Sequence, residues 1–180
     1  MQIWKNLRIT LLAVGLLWLV HLLNLFLPID FRHYGLRPRQ AEGLWGIFLS
    51  PFLHANTTHL LANSGALLFL LTVSLSLNRK LTVTALWMVL LIGGGLVWLL
   101  GAGNSIHIGA SGVIFGLIGF LLFAGVFRRE WKALLCSIIV FFLYGGALLS
   151  LLAPVPGISW SGHLFGFLAG AIAAWATRTL

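Results

Sequence analysis

The sequence predicts an all-α membrane protein, a six-transmembrane-helix bundle with a long interfacial first outer loop. Three observations carry that prediction. Of the 180 residues 60% are hydrophobic and only 8% charged, against about 25% charged in an average soluble chain. A domain this small cannot bury so much apolar surface behind its own polar shell, whereas a bilayer removes the need for a shell. The apolar residues also gather into six stretches, each close to the roughly 20 residues that one crossing takes. Finally, the cations sit in the gaps between those stretches, so residues 1–180 read as one membrane domain with no room for a second.

The first span covers about 9–27, behind a basic start that resembles a signal peptide; its long apolar stretch and the lack of a small-residue cleavage site predict a retained span. The others cover about 59–77, 81–100, 111–127, 133–152 and 160–177. In lipid a lone strand leaves its backbone unsatisfied, so each is read as a helix. Lys5, Arg8, Arg79, Lys80, Arg128, Arg129, Lys132 and Arg178 all fall on one side of the resulting topology. The opposite side has Arg32, Arg37 and Arg39, partly offset by Asp30 and Glu42. The positive-inside rule then makes both termini cytoplasmic, and the compact six-span form alone points to the cell (inner) membrane. The net charge of +8 is thus an orientation signal, not a nucleic-acid footprint. Cys136, the single cysteine, lies in an apolar run and reads as a packing residue.

Between the first two spans, residues 28–58 form a loop unusually long for so sparing a chain. Its segment LWGIFLSPFLH, 44–54, is too apolar for a free linker and is expected to rest in the outer interface, anchored by Trp45. Trp4, Trp131 and Trp160 suit the same aromatic belts.

In this topology spans two, four and six all start at the outer face, and their openings hold the unusual chemistry. Span two starts HLLAN, with His59 and Asn63 on one helical face; span four starts GASG, with Ser111 between Gly109 and Gly112; span six starts GHLFG, with His163. Polar and ionisable groups in a membrane are costly and by default suggest function. Each has a plainer reading: Ser-Gly as a close-packing device, His163 as an interfacial residue, His59 and Asn63 as interhelical hydrogen bonders. Their convergence on one side, derived from charges alone, favours a shared site. Span four is short, so Ser111 should lie below the surface, reached by a loop, 101–110, that dips inward beside a water-filled cavity.

Gly162, Gly166, Gly170 and Ala174 form a smooth stripe on span six, and Gly112 and Gly116 offer the same on span four. If those faces meet, Ser111 and His163 come within reach and can act as nucleophile and general base. Of the only acids, Glu130 is cytoplasmic and Asp30 and Glu42 sit in the long outer loop, so a dyad is expected rather than a triad. The oxyanion would be met by backbone N–H groups at the start of span four and by the side chains of His59 and Asn63.

These residues resemble the rhomboid intramembrane serine proteases. HANTTHLLAN (54–63), GASG (109–112) and GHLFGFLAG (162–170) look like that family's three signature blocks in their usual order. The resemblance implies a rhomboid-like fold, Ser111 as nucleophile, His163 as base, and His59 and Asn63 at the oxyanion. It further implies that His54 ties down the first loop through hydrogen bonds, that membrane-anchored substrates are cut in or beside a transmembrane helix, and that no metal or cofactor takes part. Three positions depart from it. Gly46 follows Trp45 where many members have an arginine that braces the loop; Phe115 replaces a tyrosine that stacks on the histidine; and the residues around Leu75 replace an acid. His107, four residues before Ser111, is a competing base, while His21 and His33 read as structural or interfacial. Gly145 and Gly146 are expected to loosen span five, which in the family flanks the substrate entrance. The alternatives are a catalytically silent relative that binds transmembrane helices and a small transporter. The transporter is disfavoured because the polar set is confined to the outer half. Neither nucleic acid nor a defined oligomer is implied; the expected partners are transmembrane proteins and lipid.

Overall fold

A computed structural model describes residues 2–153 and 157–180; Met1, where the basic opening segment begins, lies outside them. The described residues form six principal helices: α1 (Gln2–Phe26), α2 (Thr57–Leu77), α3 (Arg79–Leu100), α4 (Ser111–Arg128), α5 (Trp131–Leu148) and α6 (Trp160–Ala176). Among the described residues the only β pairing is a single antiparallel bridge between Leu36 and His107. Five helices, α1 to α5, are long and apolar enough to cross a bilayer. The chain is a multi-pass membrane protein. α6 has 17 residues, about 25 Å of helix against a hydrocarbon core of roughly 30 Å.

The helix starts differ from the sequence reading most at α1, which begins seven residues earlier than expected, at Gln2. Its polar first turns are held by α2 rather than by lipid. Asn6 donates to Ser76 at 3.2 Å, Thr72 to Thr10 at 3.1 Å and Trp18 to Ser64 at 3.0 Å, and His21 pairs with Thr57 at 3.1 Å. This antiparallel ladder satisfies polar groups that hydropathy alone assigns to water. His21 is therefore structural, as expected.

α4 is the hub: more than half of it is buried, and it lies between α2, α3, α5 and α6. Its closest partner is α6. A Cβ added at Gly166 or Gly170 would fall on the carbonyl oxygen of Gly112 or Gly116, and one at Gly119 on that of Phe167. The stripe thus brings backbone onto backbone, as small residues do in membrane helix pairs. Two details correct the sequence reading. Gly162 does not present its Cα face to α4; an added Cβ there meets the hydroxyl of Ser159 in its own cap. Gly116 turns its Cα toward Val89 of α3 while its carbonyl stays in the seam with α6, which Gly119 joins one turn on. α3 widens into a π-helical segment at Val89–Gly93, where Gly93 comes against the backbone of Phe165 and Gly166. Cys136 is buried and free, in packing contact with the core.

Candidate active site

Ser111 is the first residue of α4, and the loop before it is pinned from several directions. Leu36 and His107 exchange backbone hydrogen bonds of 3.0 and 2.8 Å, and the Gly109 N–H donates to Ser50 in the first loop at 2.9 Å. Gly109 has φ of 109°, a region natural to glycine alone. A Cβ there would stand 2.6 Å from the His59 ring and 3.5 Å from Asn63 Nδ2. That contact brings both α2 side chains onto the backbone two residues ahead of Ser111. Asn56 caps α2 by accepting from the His59 N–H at 2.8 Å, which fixes where His59 and Asn63 face.

His163 lies in the first turn of α6, capped by Ser159, whose hydroxyl accepts from the Gly162 N–H at 3.2 Å. Its imidazole stacks on Phe115, with centroids 4.0 Å apart and planes 13° from parallel. The ring that the resemblance requires at Phe115 is thus in place, without a hydroxyl. Ser111, His163, His59, Asn63 and Phe115 all line one cavity of about 1040 Å³. The starts of α2, α4 and α6 therefore converge as the charge-derived topology required. Among the described residues the Ser111 hydroxyl makes no hydrogen bond, and Asn63 Nδ2 is a buried donor without a partner. Hydrogen bonds between nucleophile and base commonly tighten only in the substrate complex. An unpartnered buried amide donor is costly, and Asn63 keeps it at the wall of the cavity.

His54 behaves differently from what the resemblance implies. Both ring nitrogens are buried without a hydrogen-bond partner among the described residues, and the ring instead meets His59 edge-on at 5.2 Å. It packs behind His59, with the backbone of Phe52 in the first loop as its polar neighbour. Burial, followed by the nearby His59, pushes its imidazole from the usual 6.5 down to about 4.

The first loop is braced after all, by a residue the sequence reading passed over. Arg39, held at φ of 58°, donates through one guanidinium nitrogen to the carbonyls of Leu99 and Gly101 at 3.0 and 2.8 Å. Its backbone N–H donates to Trp98, whose indole returns a bond to Gln40 at 2.9 Å. These bonds take up the carbonyls left free at the end of α3. Gly46 follows from the same packing: an added Cβ would land on the backbone of Leu36. An arginine has no room beside Trp45, and the brace comes from elsewhere in the loop.

His107 is engaged rather than poised. One ring nitrogen pairs with Ser105 at 2.8 Å and the other with Ser159 at 2.6 Å, and burial pushes its basicity down. It links the loop before α4 to the cap of α6, which argues against its being the base. His33 stays exposed near Asp30, whose carboxyl the Arg32 side chain holds down at about 2. Trp4, Trp45 and Trp131 are exposed as belt residues would be, whereas Trp160 donates its indole N–H to Leu151 at 3.0 Å. That bond, and one between Ser150 Oγ and His163 Nδ1 at 3.3 Å, tie the end of α5 to the start of α6. Ser150 sits in the run LLSLL, where no spacing signal marks it.

The chain is similar to known proteins over most of its length. Residues 41–179 match the model of the Rhomboid domain. An uncharacterized protein of Mycobacterium tuberculosis is 41% identical over 173 residues, covering 90% of this chain and 71% of that protein. YdcA of Bacillus subtilis, which carries a rhomboid name, is 33% identical over 136 residues, 72% of this chain and 66% of its own. RHOMBOID-like protein 1 of Arabidopsis thaliana is 29% identical over 135 residues, 71% of this chain and 33% of its own. No solved structure matches. With the three signature blocks converging on one cavity and the family's domain matched from the first loop to the end of the last helix, the chain belongs to the rhomboid family.

Proposed function

We propose that this chain is an intramembrane serine endopeptidase that cleaves membrane-anchored proteins in or next to a transmembrane helix near the outer face. The observation that carries this reading is the meeting of Ser111, His163, His59 and Asn63 around one cavity, with Gly109 leaving no room for anything but those two α2 side chains. The imidazole of His163 takes the Ser111 proton, and the Oγ attacks a substrate carbonyl carbon. The resulting oxyanion is met by backbone N–H groups at the start of α4, where the helix has no internal acceptors for them, by Asn63 Nδ2 and by His59. His163 returns the proton to the leaving amine, and water then releases the acyl group by the same steps in reverse. No metal or cofactor enters these steps.

In this reading α6 is a sixth span. Its 17 residues suit a helix whose first turn carries His163 below the surface. Residues 1–180 act as one membrane domain in the cell (inner) membrane, with both termini cytoplasmic as the cations direct. Substrates are transmembrane proteins whose helix unwinds readily at the scissile region, since a hydrogen-bonded helix hides its carbonyls from a nucleophile. The rhomboid name of YdcA supports the activity at the level of family. The test is cleavage of a fluorescent transmembrane substrate in reconstituted vesicles. The parent is expected to cut it, and Ser111→Ala and His163→Ala are not. Cleavage by both variants would dismiss the dyad. A parent that binds several transmembrane substrates and cuts none would establish a helix-binding relative instead.

A further inference from the structure

We propose that Ser150 is a positioning residue for His163: its hydroxyl accepts the Nδ1 proton of the imidazole and so leaves Nε2 as the nitrogen that serves Ser111. The inference rests on the dyad reading above and specifies how that dyad is oriented.

The argument is one of hydrogen counting. Ser150 Oγ lies 2.7 Å from the Ala147 carbonyl oxygen, which can only accept, and 3.3 Å from His163 Nδ1. A serine hydroxyl has one hydrogen. Given to Ala147, it leaves only lone pairs for the imidazole, so Nδ1 must carry the proton of the neutral ring. A neutral imidazole has one N–H, so Nε2 is then the free acceptor. In a triad a carboxylate performs this orientation. Here no acid is placed to do so, since Asp30 is engaged by Arg32, Glu130 by Arg128 and Glu42 belongs to the first loop.

Two further contacts keep the geometry. The Phe115 stack fixes the plane of the His163 ring, so that its Nδ1 edge and its Nε2 edge have defined directions. The Trp160 indole, bonded to Leu151 next to Ser150, holds the end of α5 against the first turn of α6. Acceptor and imidazole thus belong to one connected unit. A hydrogen bond to the far ring nitrogen that sets a histidine tautomer is a general device at sites where the other nitrogen must react.

The test uses full-length protein with ¹⁵N-labelled histidine in detergent or vesicles, with the His163 ring signals identified by their loss in His163→Ala. The parent is expected to show the Nδ1–H tautomer. Ser150→Ala is expected to give a mixture of tautomers and, from the loss of one neutral hydrogen bond, a kcat lower by roughly five- to tenfold with KM unchanged. Ser150→Thr, which keeps the hydroxyl, should restore both. An Nε2–H tautomer in the parent would overturn the inference, as would a fall in kcat with no change of tautomer. The parent measurement needs no variant, so a folding defect in Ser150→Ala leaves the test intact. Failure of the dyad itself has a separate signature, cleavage surviving in Ser111→Ala, and would remove this inference with it.

Discussion

The two sides of α4 are built to different standards. Toward α6, glycine carbonyls and glycine Cα atoms meet so closely that no added carbon fits at Gly166, Gly170 or Gly119. Toward α5 the packing is close only at the first half, where Ser137 shares its hydroxyl hydrogen between the carbonyls of Leu121 and Leu122 at 2.7 and 2.8 Å. Farther along α5, Gly145 and Gly146 have nothing within 4 Å of an added Cβ, and Phe141, Phe142 and Leu143 are exposed. The contrast fits what the proposed reaction asks of each side. The α4–α6 seam sets the separation of Ser111 and His163, an interval that such catalysis would tolerate only within fractions of an ångström. The far half of α5 borders the same cavity through Tyr144 and Ala147, where the proposed substrate helix would need room.

The sharpest way to break this contrast is to place a side chain in the tight seam. Gly170→Val drives carbon onto the Gly116 carbonyl, with the Phe120 nitrogen 2.8 Å from the first added atom. Overpacking against backbone of this kind should cost about 3 kcal/mol or more, read as a fallen Tm together with lost labelling of Ser111 by a fluorophosphonate. Next in size is the donor that the fixed side presents to the cavity. Asn63→Ala should lower kcat by about 10²-fold, with the melting temperature of the parent, since Nδ2 has no partner to lose. A fall in Tm without a fall in kcat would make Asn63 a packing residue.

The remaining effects are smaller. Arg39→Ala frees the carbonyls of Leu99 and Gly101. For exposed charge-assisted bonds a cost of about 1–2 kcal/mol follows, visible as faster proteolysis within residues 28–58. A pH scan probes the cluster behind the oxyanion donors. Because burial holds His54 near 4 in the folded protein against 6.5 unfolded, the unfolded chain takes up more protons between those values. Stability is therefore fully present above about pH 6.5 and is lost as pH falls toward 4. His54→Phe should flatten that decline in Tm. Gly145→Ala is the smallest change expected: with open space around it, it should gain up to about 1 kcal/mol from helix propensity.

Much of this was legible in the sequence because the bilayer simplifies the reading. Six apolar runs and the side on which cations gather were enough to bring His59, Asn63, Ser111 and His163 to one end, where the structure has them lining one cavity. The glycine stripe was legible as a stripe, but which face each glycine shows depends on helix rotation: Gly116 and Gly162 enter the seam through their carbonyls, while their Cα atoms face Val89 and Ser159. The polar opening of α1 was lost to hydropathy, since Asn6 looks solvent-bound until α2 supplies Ser76. Arg39 and Ser150 carry no motif; their partners lie 60 and 13 residues away on other elements, and only the fold brings those partners close. His54 resembles a hydrogen-bonded tie by position, and the fold adds what position does not show, the ring of His59 set edge-on against it.

The central claim, that an activated hydroxyl at Ser111 depends on the imidazole of His163, is tested most directly by mapping a fluorophosphonate adduct on the intact protein by mass spectrometry. The parent should carry a single adduct on Ser111, and His163→Ala, folded as judged by its Tm, should carry essentially none. An adduct on another residue, or full labelling of Ser111 without His163, would contradict the account.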